Sequence, residues 1–412
     1  MKIGILREGK LPPDARVPFT PEQCRYIHQE MEGLEVVVQP SPVRCFRDEE
    51  YQALGVEVKE DLSDCDVLMG VKEVPFGQLI PGKIYFFFSH TIKMQPYNRR
   101  LLQEMVKRGI QLVDYEVLTD RSGNRIIGFG RFAGLVGAYN GFRAYGLRNG
   151  LYDLKPAHLC DSMEEMKSQI GSIRLPAVKI ALTGGGRVAG GALELFKDLG
   201  IRQVAVGEYL TLKTVSEPVF VQLNPGDYNR HRAGLPFDLL HFYNNPKDYT
   251  GSFGRFLPVT DMLVGAAYWD PAAPVLFTLE DTRRPDFRIS VIADITCDID
   301  GSIPTTRKAS TIDDPFYDFD PETGELKEPF SDERHISVMA VDNLPCELPK
   351  DASHDFGMNL IDKVLPRLAG NDPDDIIGRA SITVRSEDGP GVLTERFQYL
   401  QDYLDGAGNR QL

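Results

Sequence analysis

The stretch Ala177-Val178-Lys179-Ile180-Ala181-Leu182-Thr183-Gly184-Gly185-Gly186-Arg187-Val188-Ala189-Gly190-Gly191 decides the fold class. An apolar run is delivered straight into a glycine cluster, and helical spacing follows from Ala192 to Leu199. Strand, glycine turn and helix in that order make the corner that holds a dinucleotide pyrophosphate. Gly184 and Gly186 permit a tight turn and close backbone approach, so the amides that open the helix face the phosphates. Gly184, Gly186, Arg187 and Val188 are the candidate cofactor contacts at this turn. Ala189 replaces the third glycine of the fingerprint, which tolerates it, and Gly191 is expected to let helix and strand pack closely. Glu208 lies roughly 20 residues beyond the turn, where an acid binding the ribose hydroxyls is expected, and this selects NAD with NADP as the alternative. Three bland readings stand beside these. Glycine also serves merely to turn a chain into a helix, Arg187 reads equally as a solvated charge, and adenosine-binding methyltransferases carry a similar acid.

Outward from this corner, short apolar runs alternate with helical stretches. Lys2 to Leu6, Leu34 to Gln39, Val67 to Val71, Ile84 to Ser89 and Gln111 to Asp114 read as strands, several of them apolar on both faces. Thr20 to Met31 reads as a helix with an N-cap threonine, proline at its first position and Gln23 three residues after the cap. Gln95 to Arg108 is a second helix, and Gly130 to Arg148 a third, whose small residues suit close packing. Strands at Gln203 to Val206, Met262 to Ala266 and Ser290 to Ile295 continue an α/β pattern with a largely parallel sheet. Asp313 to Ser331 is acidic and proline-punctuated and reads as a long loop or hairpin. Ala352 to Leu368 has helical spacing and is expected to return to the first domain, which makes that domain discontinuous. The expected limits are 1–135 plus 340–412 for a substrate and catalytic domain, and 136–339 for a dinucleotide-binding domain.

Composition excludes several classes. A chain of 412 residues with 42% hydrophobic and 26% charged side chains builds more than one ordinary core. A net charge of −14 argues against nucleic acid or an anionic membrane surface as partner. No apolar run reaches a membrane span, and the N-terminal Met-Lys-Ile-Gly-Ile-Leu-Arg-Glu turns charged before a signal core forms, so a cytoplasmic location is expected. Six dispersed cysteines without a CxxC pair read as reduced thiols. Seven dispersed histidines, none at ligand spacing from another ligand, lead to the expectation of no metal.

Two strand ends carry groups suited to proton transfer. Gly70-Val71-Lys72-Glu73-Val74-Pro75 puts a lysine where an apolar strand breaks, and Ile84-Tyr-Phe-Phe-Phe-Ser-His90 delivers a histidine off another. Ligands of open α/β sheets bind outside such carboxyl ends. The lysine needs burial or a neighbouring cation to act near neutrality, whereas the histidine needs little tuning. On a regular strand Lys72 and Glu73 point to opposite faces, so contact between them requires the strand to break at Val74-Pro75.

These segments, with Phe87-Phe-Ser-His90-Thr-Ile-Lys93, Asp114-Tyr-Glu116, Gly128 to Gly134, Ala293 to Ser302 and Ala340 to Pro349, resemble the lysine-forming saccharopine dehydrogenases. The likeness is greatest to the lysine-ketoglutarate reductase domain and covers nearly the whole chain in order; more distantly the chain is similar to alanine dehydrogenase and the transhydrogenase α subunit. The resemblance implies an α/β fold of two Rossmann-like domains with mostly parallel sheets, joined by long helices and with a cleft between them. It implies that lysine and 2-oxoglutarate condense to an imine, which NAD(P)H reduces to saccharopine, with Lys72 and His90 as the acid/base pair. By the same likeness Glu73 and Glu116 tune that pair or hold the substrate ammonium, and Asp14 meets an ammonium. Arg16, Arg125 and, with less support, Lys93 hold carboxylates. Asp298 borders the nicotinamide or its ribose, although an acid beside Gly301 is also ordinary turn chemistry, and Tyr268 either lines the cofactor site or packs as core. An alanine-dehydrogenase-like or other opine dehydrogenase, and a non-catalytic NAD(P)-binding regulatory protein, are the alternatives. Partners are small-molecule substrates, and self-association into a homo-oligomer is left open.

Overall fold

The computed structural model describes residues 1–11, 13–386 and 389–406. They divide into two compact units, Met1–Phe129 with Pro349–Leu412, and Gly130–Leu348. Unit 1 begins with strands β1 (Lys2–Ile5), β2 (Glu35–Val38), β3 (Glu57–Val58), β4 (Val67–Met69), β5 (Ile84–Phe87) and β6 (Gln111–Asp114). They pair in parallel in the order β3-β2-β1-β4-β5-β6. Ile3, Ile5, Val67, Leu68, Met69, Tyr85 and Phe86 are fully buried, as strands covered on both faces must be. The strand order reverses between β1 and β4, the point where ligands of open α/β sheets bind beyond the carboxyl ends.

The helix Pro21–Glu30 starts where the capping signal puts it. Thr20 Oγ1 accepts from the Gln23 amide at 3.3 Å, and Gln23 Oε1 accepts from the Thr20 amide at 2.9 Å. Its inner face buries Cys24 and Ile27.

Unit 2 contains β7 (Lys179–Thr183), β8 (Arg202–Gln203), β9 (Val219–Leu223), the pair β10 (Asn229–His231) and β11 (Tyr249–Gly251), then β12 (Met262–Gly265), β13 (Val291–Asp294), β14 (Phe316–Phe319), β15 (Leu326–Lys327) and β16 (Ile336–Met339). The parallel order is β8-β9-β7-β12-β13-β16, with β14 and β15 added antiparallel at the edge, so the acidic stretch from Asp313 is a hairpin. The reversal falls between β7 and β12, beside the glycine turn. The chain then returns to unit 1 through the helix Pro349–Lys363 and adds β17 (Ser381–Arg385) and β18 (Gly391–Leu393), followed by the short helix Gln401–Asp405; β17 lies antiparallel to β6. No helix among the described residues is long and apolar enough to cross a membrane.

The unit limits differ from those expected at 135 and 340. The helix Gly130–Arg148 belongs wholly to unit 2 because its small residues let it lie against the helix Arg187–Asp198. A Cβ on Gly134 would stand 1.8 Å from the Val188 carbonyl oxygen, and one on Gly191 would stand 2.0 Å from that of Arg131. Gly191 therefore admits a helix, where a strand was expected. Segment 344–347 packs on the same helix, Leu344 against Gly137, which holds it in unit 2 as well. Gly191→Val is expected to destabilise the protein by about 1–3 kcal/mol, because the obstructing atoms are backbone and cannot rotate away. Gly190→Ala, which meets open space, should instead be neutral or gain about 0.5–1 kcal/mol of helix stability. Urea unfolding of the two variants checks the contrast.

Candidate active site

At the reversal in unit 1, Glu8 follows β1 and accepts the amides of Val71 at 2.5 Å and Lys72 at 2.9 Å. One carboxylate thus fixes the backbone just past the end of β4. Burial pushes the Glu8 carboxyl up to about 8, even though both amides favour its charged form and Asp14 and Arg16 stand close enough to be felt. Asp14 Oδ1 accepts from Arg16 Nε at 3.0 Å and Oδ2 from Nη2 at 2.6 Å, a pair of parallel bonds with both side chains buried. Burial alone would raise the Asp14 carboxyl; Arg16, with a smaller contribution from Lys72, holds it well below the usual carboxylate range. The guanidinium lies 4.1 Å from the Phe129 ring centre, and Phe129 stacks on Phe356 at 4.4 Å, so an aromatic shelf carries this cation.

Past Met69 the strand ends, which lets Lys72 and Glu73 act on separate neighbours. Glu73 Oε1 lies 2.6 Å from His90 Nδ1, and Oε2 lies 2.8 Å from Lys10 Nζ. Burial would raise the Glu73 carboxyl, but His90 and Lys10 outweigh it and bring it down to about 2. His90 follows β5 in the left-handed region at φ 53°, a turn that aims its ring at Glu73. Asp114, at the end of β6, accepts from Ser89 N at 3.1 Å and Glu116 N at 2.7 Å, and burial pushes it up to about 6. Buried Tyr115 keeps its hydroxyl close to Glu8, whose charge adds to burial in pushing that phenol up.

Lys72, His90, Glu73, Asp14 and Arg16 therefore gather at the carboxyl ends of β1, β4 and β5. Glu116 pairs with Arg125 at 3.0 Å on the loop after β6, where Arg125 is exposed. Lys93 is exposed on the turn Thr91–Lys93. Glu8 and Lys10 escaped sequence reasoning, although a strand-end carboxylate and lysine in Arg7-Glu8-Gly9-Lys10 carry the same signal as Lys72.

In unit 2, Gly184 takes φ 103°, and a Cβ there would stand 2.7 Å from the Ala266 carbonyl oxygen. No side chain caps the helix that opens at Arg187, so its first amides suit an anion. Arg187 is exposed and Val188 half-buried beside this turn. A concavity adjoins it, walled by Thr183, Pro225, Tyr228, Ala267, Tyr268 and Trp269 at the ends of β7, β9 and β12. An uncapped helix start, a turn that only glycine fits and an aromatic-lined hollow at the strand reversal together suit a dinucleotide. Tyr268 is 82% exposed, so it borders this hollow and is not core. Asp298 is half-buried in the turn after β13, which Asp294 organises by accepting from Thr296 and from Thr306 Oγ1 at 2.6 Å.

Glu208 is not brought to the glycine turn. It sits on the short helix Val206–Thr211 and pairs at 2.9 Å with Arg202, which opens edge strand β8 at the amino end of the sheet. The strand beside β7 is β9, which ends at Leu223 opposite Thr183. Asn224 and Asp227 follow it, and Asn224 Oδ1 would lie 3.0 Å from a Cβ on Gly185. Folding also gathers His231, His241 and Asp248, whose ligand atoms lie within 4.8 Å of one another; their spacing along the chain hides this.

Residues 4–136 match the family described as "Alanine dehydrogenase/PNT, N-terminal domain". The α-aminoadipic semialdehyde synthase of Arabidopsis thaliana is 29% identical over 97% of this chain, and the match spans 41% of that relative, less than half its length. A saccharopine dehydrogenase [NAD(+), L-lysine-forming] of Emericella nidulans is 25% identical over 88% of this chain and 91% of its own. An L-alanine dehydrogenase structure shares the fold with a TM-score of 0.62, at 18% identity, over 98% of this chain and all of its own.

Proposed function

We propose that this chain, a member of the superfamily that holds alanine dehydrogenase and the L-lysine-forming saccharopine dehydrogenases, is an oxidoreductase of the CH–NH group. It interconverts saccharopine with lysine and 2-oxoglutarate, using NAD in preference to NADP. The observation that carries this reading is the arrangement past β4 and β5: Lys72 beside buried Asp14, and His90 held through Nδ1 by Glu73.

With Nδ1 engaged by Glu73, His90 offers Nε2 to the substrate and moves a proton at the carbinolamine oxygen as water is lost. Lys72 moves the proton at the substrate nitrogen. Arg16, Arg125 and Lys93 hold substrate carboxylates, and Asp14 and Glu116 meet the ammonium. Gly184, Gly186, Arg187 and Val188 cradle the pyrophosphate, while Tyr268 and Asp298 border the nucleotide. The bound nicotinamide supplies the hydride that reduces the imine carbon. Asn224 and Asp227 take the ribose position foreseen for Glu208, and the carboxylate of Asp227 disfavours the extra phosphate of NADP.

Initial rates with both reduced dinucleotides, offered lysine plus 2-oxoglutarate or ammonia plus pyruvate, test the assignment. Turnover with the first pair supports it. Turnover with the second pair alone makes the chain an alanine-dehydrogenase-like enzyme, and dinucleotide binding without any turnover makes it a regulatory binding protein.

Glu8 adds a pH dependence of defined sign. Its carboxyl stands at about 8 in the folded chain against an ordinary 4.5, so between these values the folded state keeps a proton that the unfolded state has released. Stability therefore falls as pH rises from about 4.5 to about 8, and Asp114, raised to about 6, adds a slope of the same sign over the lower part of that window. Glu8→Gln, which cannot ionise, is expected to flatten the slope; urea midpoints across the window measure it.

A further inference from the structure

We propose that His231, His241 and Asp248 bind a divalent transition-metal ion of the zinc type, on the excursion between β9 and β12 that walls the nucleotide hollow. All three residues come from one segment closed by the β10–β11 ladder, in which His231 stands opposite Tyr249. The helix Leu239–Asn244 lies between these strands in the chain, and Asp238 caps it by accepting the His241 amide at 2.7 Å.

The hydrogen bonds prepare His241 as a ligand. Tyr249, nearly fully buried, donates its hydroxyl to the Asp238 carbonyl at 3.2 Å, so its oxygen accepts the proton on His241 Nδ1, also at 3.2 Å. That tautomer leaves the Nε2 lone pair unused, and an outer partner of this kind orients a metal-binding imidazole. Nε2 faces Asp248 Oδ2 at 3.8 Å. This is too long for a hydrogen bond, yet it suits two ligands each about 2.0–2.2 Å from one shared ion. The His231 ring lies 5.5 Å from that of His241 between centres. Its Nδ1 receives the amide of exposed Ala233 at 3.1 Å, a bond that water can replace when the ring turns to a metal.

Two imidazoles and one carboxylate suit zinc, with water completing a tetrahedron. The neighbours of the ligands give the site a consequence. Phe242 and Tyr243 directly follow His241, Pro246 shortly precedes Asp248, and all three line the nucleotide hollow. A bound ion would fasten that wall.

The test is titration of the chelator-stripped full chain with Co2+ or Zn2+, read by visible absorption and calorimetry. One ion per chain is expected, with the intense visible bands of four-coordinate cobalt. His241→Gln and Asp248→Asn should each weaken binding at least tenfold, and Tyr249→Phe, which removes the outer hydrogen bond to His241 together with that to the Asp238 carbonyl, by about 10- to 100-fold. Circular dichroism establishes that the variants fold. No bound ion, or binding that His241→Gln and Asp248→Asn both leave intact, overturns the proposal.

Discussion

Lys72→Met and His90→Ala are each expected to lower kcat for reductive condensation of lysine with 2-oxoglutarate by about 10²- to 10⁴-fold, the range for removing a positioned acid or base. The double variant should lose less than the product of the single losses, because both groups serve one sequence of proton transfers. Dinucleotide affinity should stay unchanged, since the glycine turn is built entirely from residues of the other unit. Glu73→Gln offers an intermediate case. It keeps a hydrogen-bond partner for His90 Nδ1 but removes the carboxylate charge beside the ring, so kcat should fall by less than in His90→Ala. Stopped-flow single turnovers separate the chemical step from binding and product release. Wild-type turnover in the double variant would remove the two side chains from the mechanism.

The second large effect is expected at Gly184→Val. The residue holds φ 103°, where a β-branched side chain is strained by about 1–3 kcal/mol, and the new Cβ would meet the Ala266 carbonyl oxygen at 2.7 Å. Relief requires the turn to shift, which displaces the amides proposed to face the pyrophosphate. At about 1.4 kcal/mol per factor of ten, that strain alone weakens NADH binding by one to two orders of magnitude. Calorimetric titration with NADH reads the loss, and a variant that binds as tightly as the wild type would show that the pyrophosphate lies elsewhere.

These two candidate sites stand out in the sequence for one reason. Each sits where an apolar strand ends in a residue that a buried strand would not tolerate: glycines after Thr183, Lys72 after Gly70-Val71, and His90 after Ser89. What local sequence does not carry is the order of strands across a sheet. Glu208 follows the first strand-like segment after the glycine helix, yet that segment is edge strand β8, and the later β9 pairs with β7. Asn224 and Asp227 therefore reach the end of the sheet that was assigned to Glu208. Gly191 illustrates a similar limit. Its lack of a side chain signals a close approach, but whether a strand or the helix Gly130–Arg148 makes that approach depends on tertiary packing. Glu8 went unread because its task, accepting two amides past β4, emerges only once β1 and β4 lie side by side. Strands β17 and β18 are short and partly polar; β17 acquires strand character from pairing with β6, and β18 from pairing with β17.

The most direct measurement is the fate of deuterium from a reduced dinucleotide labelled on its nicotinamide, in a reaction with lysine and 2-oxoglutarate. The expected product is saccharopine with the label on the former keto carbon, absent when Lys72 and His90 are both replaced. Unlabelled substrates recovered intact, with deuterium entering alanine once pyruvate and ammonia are supplied, would contradict the assignment.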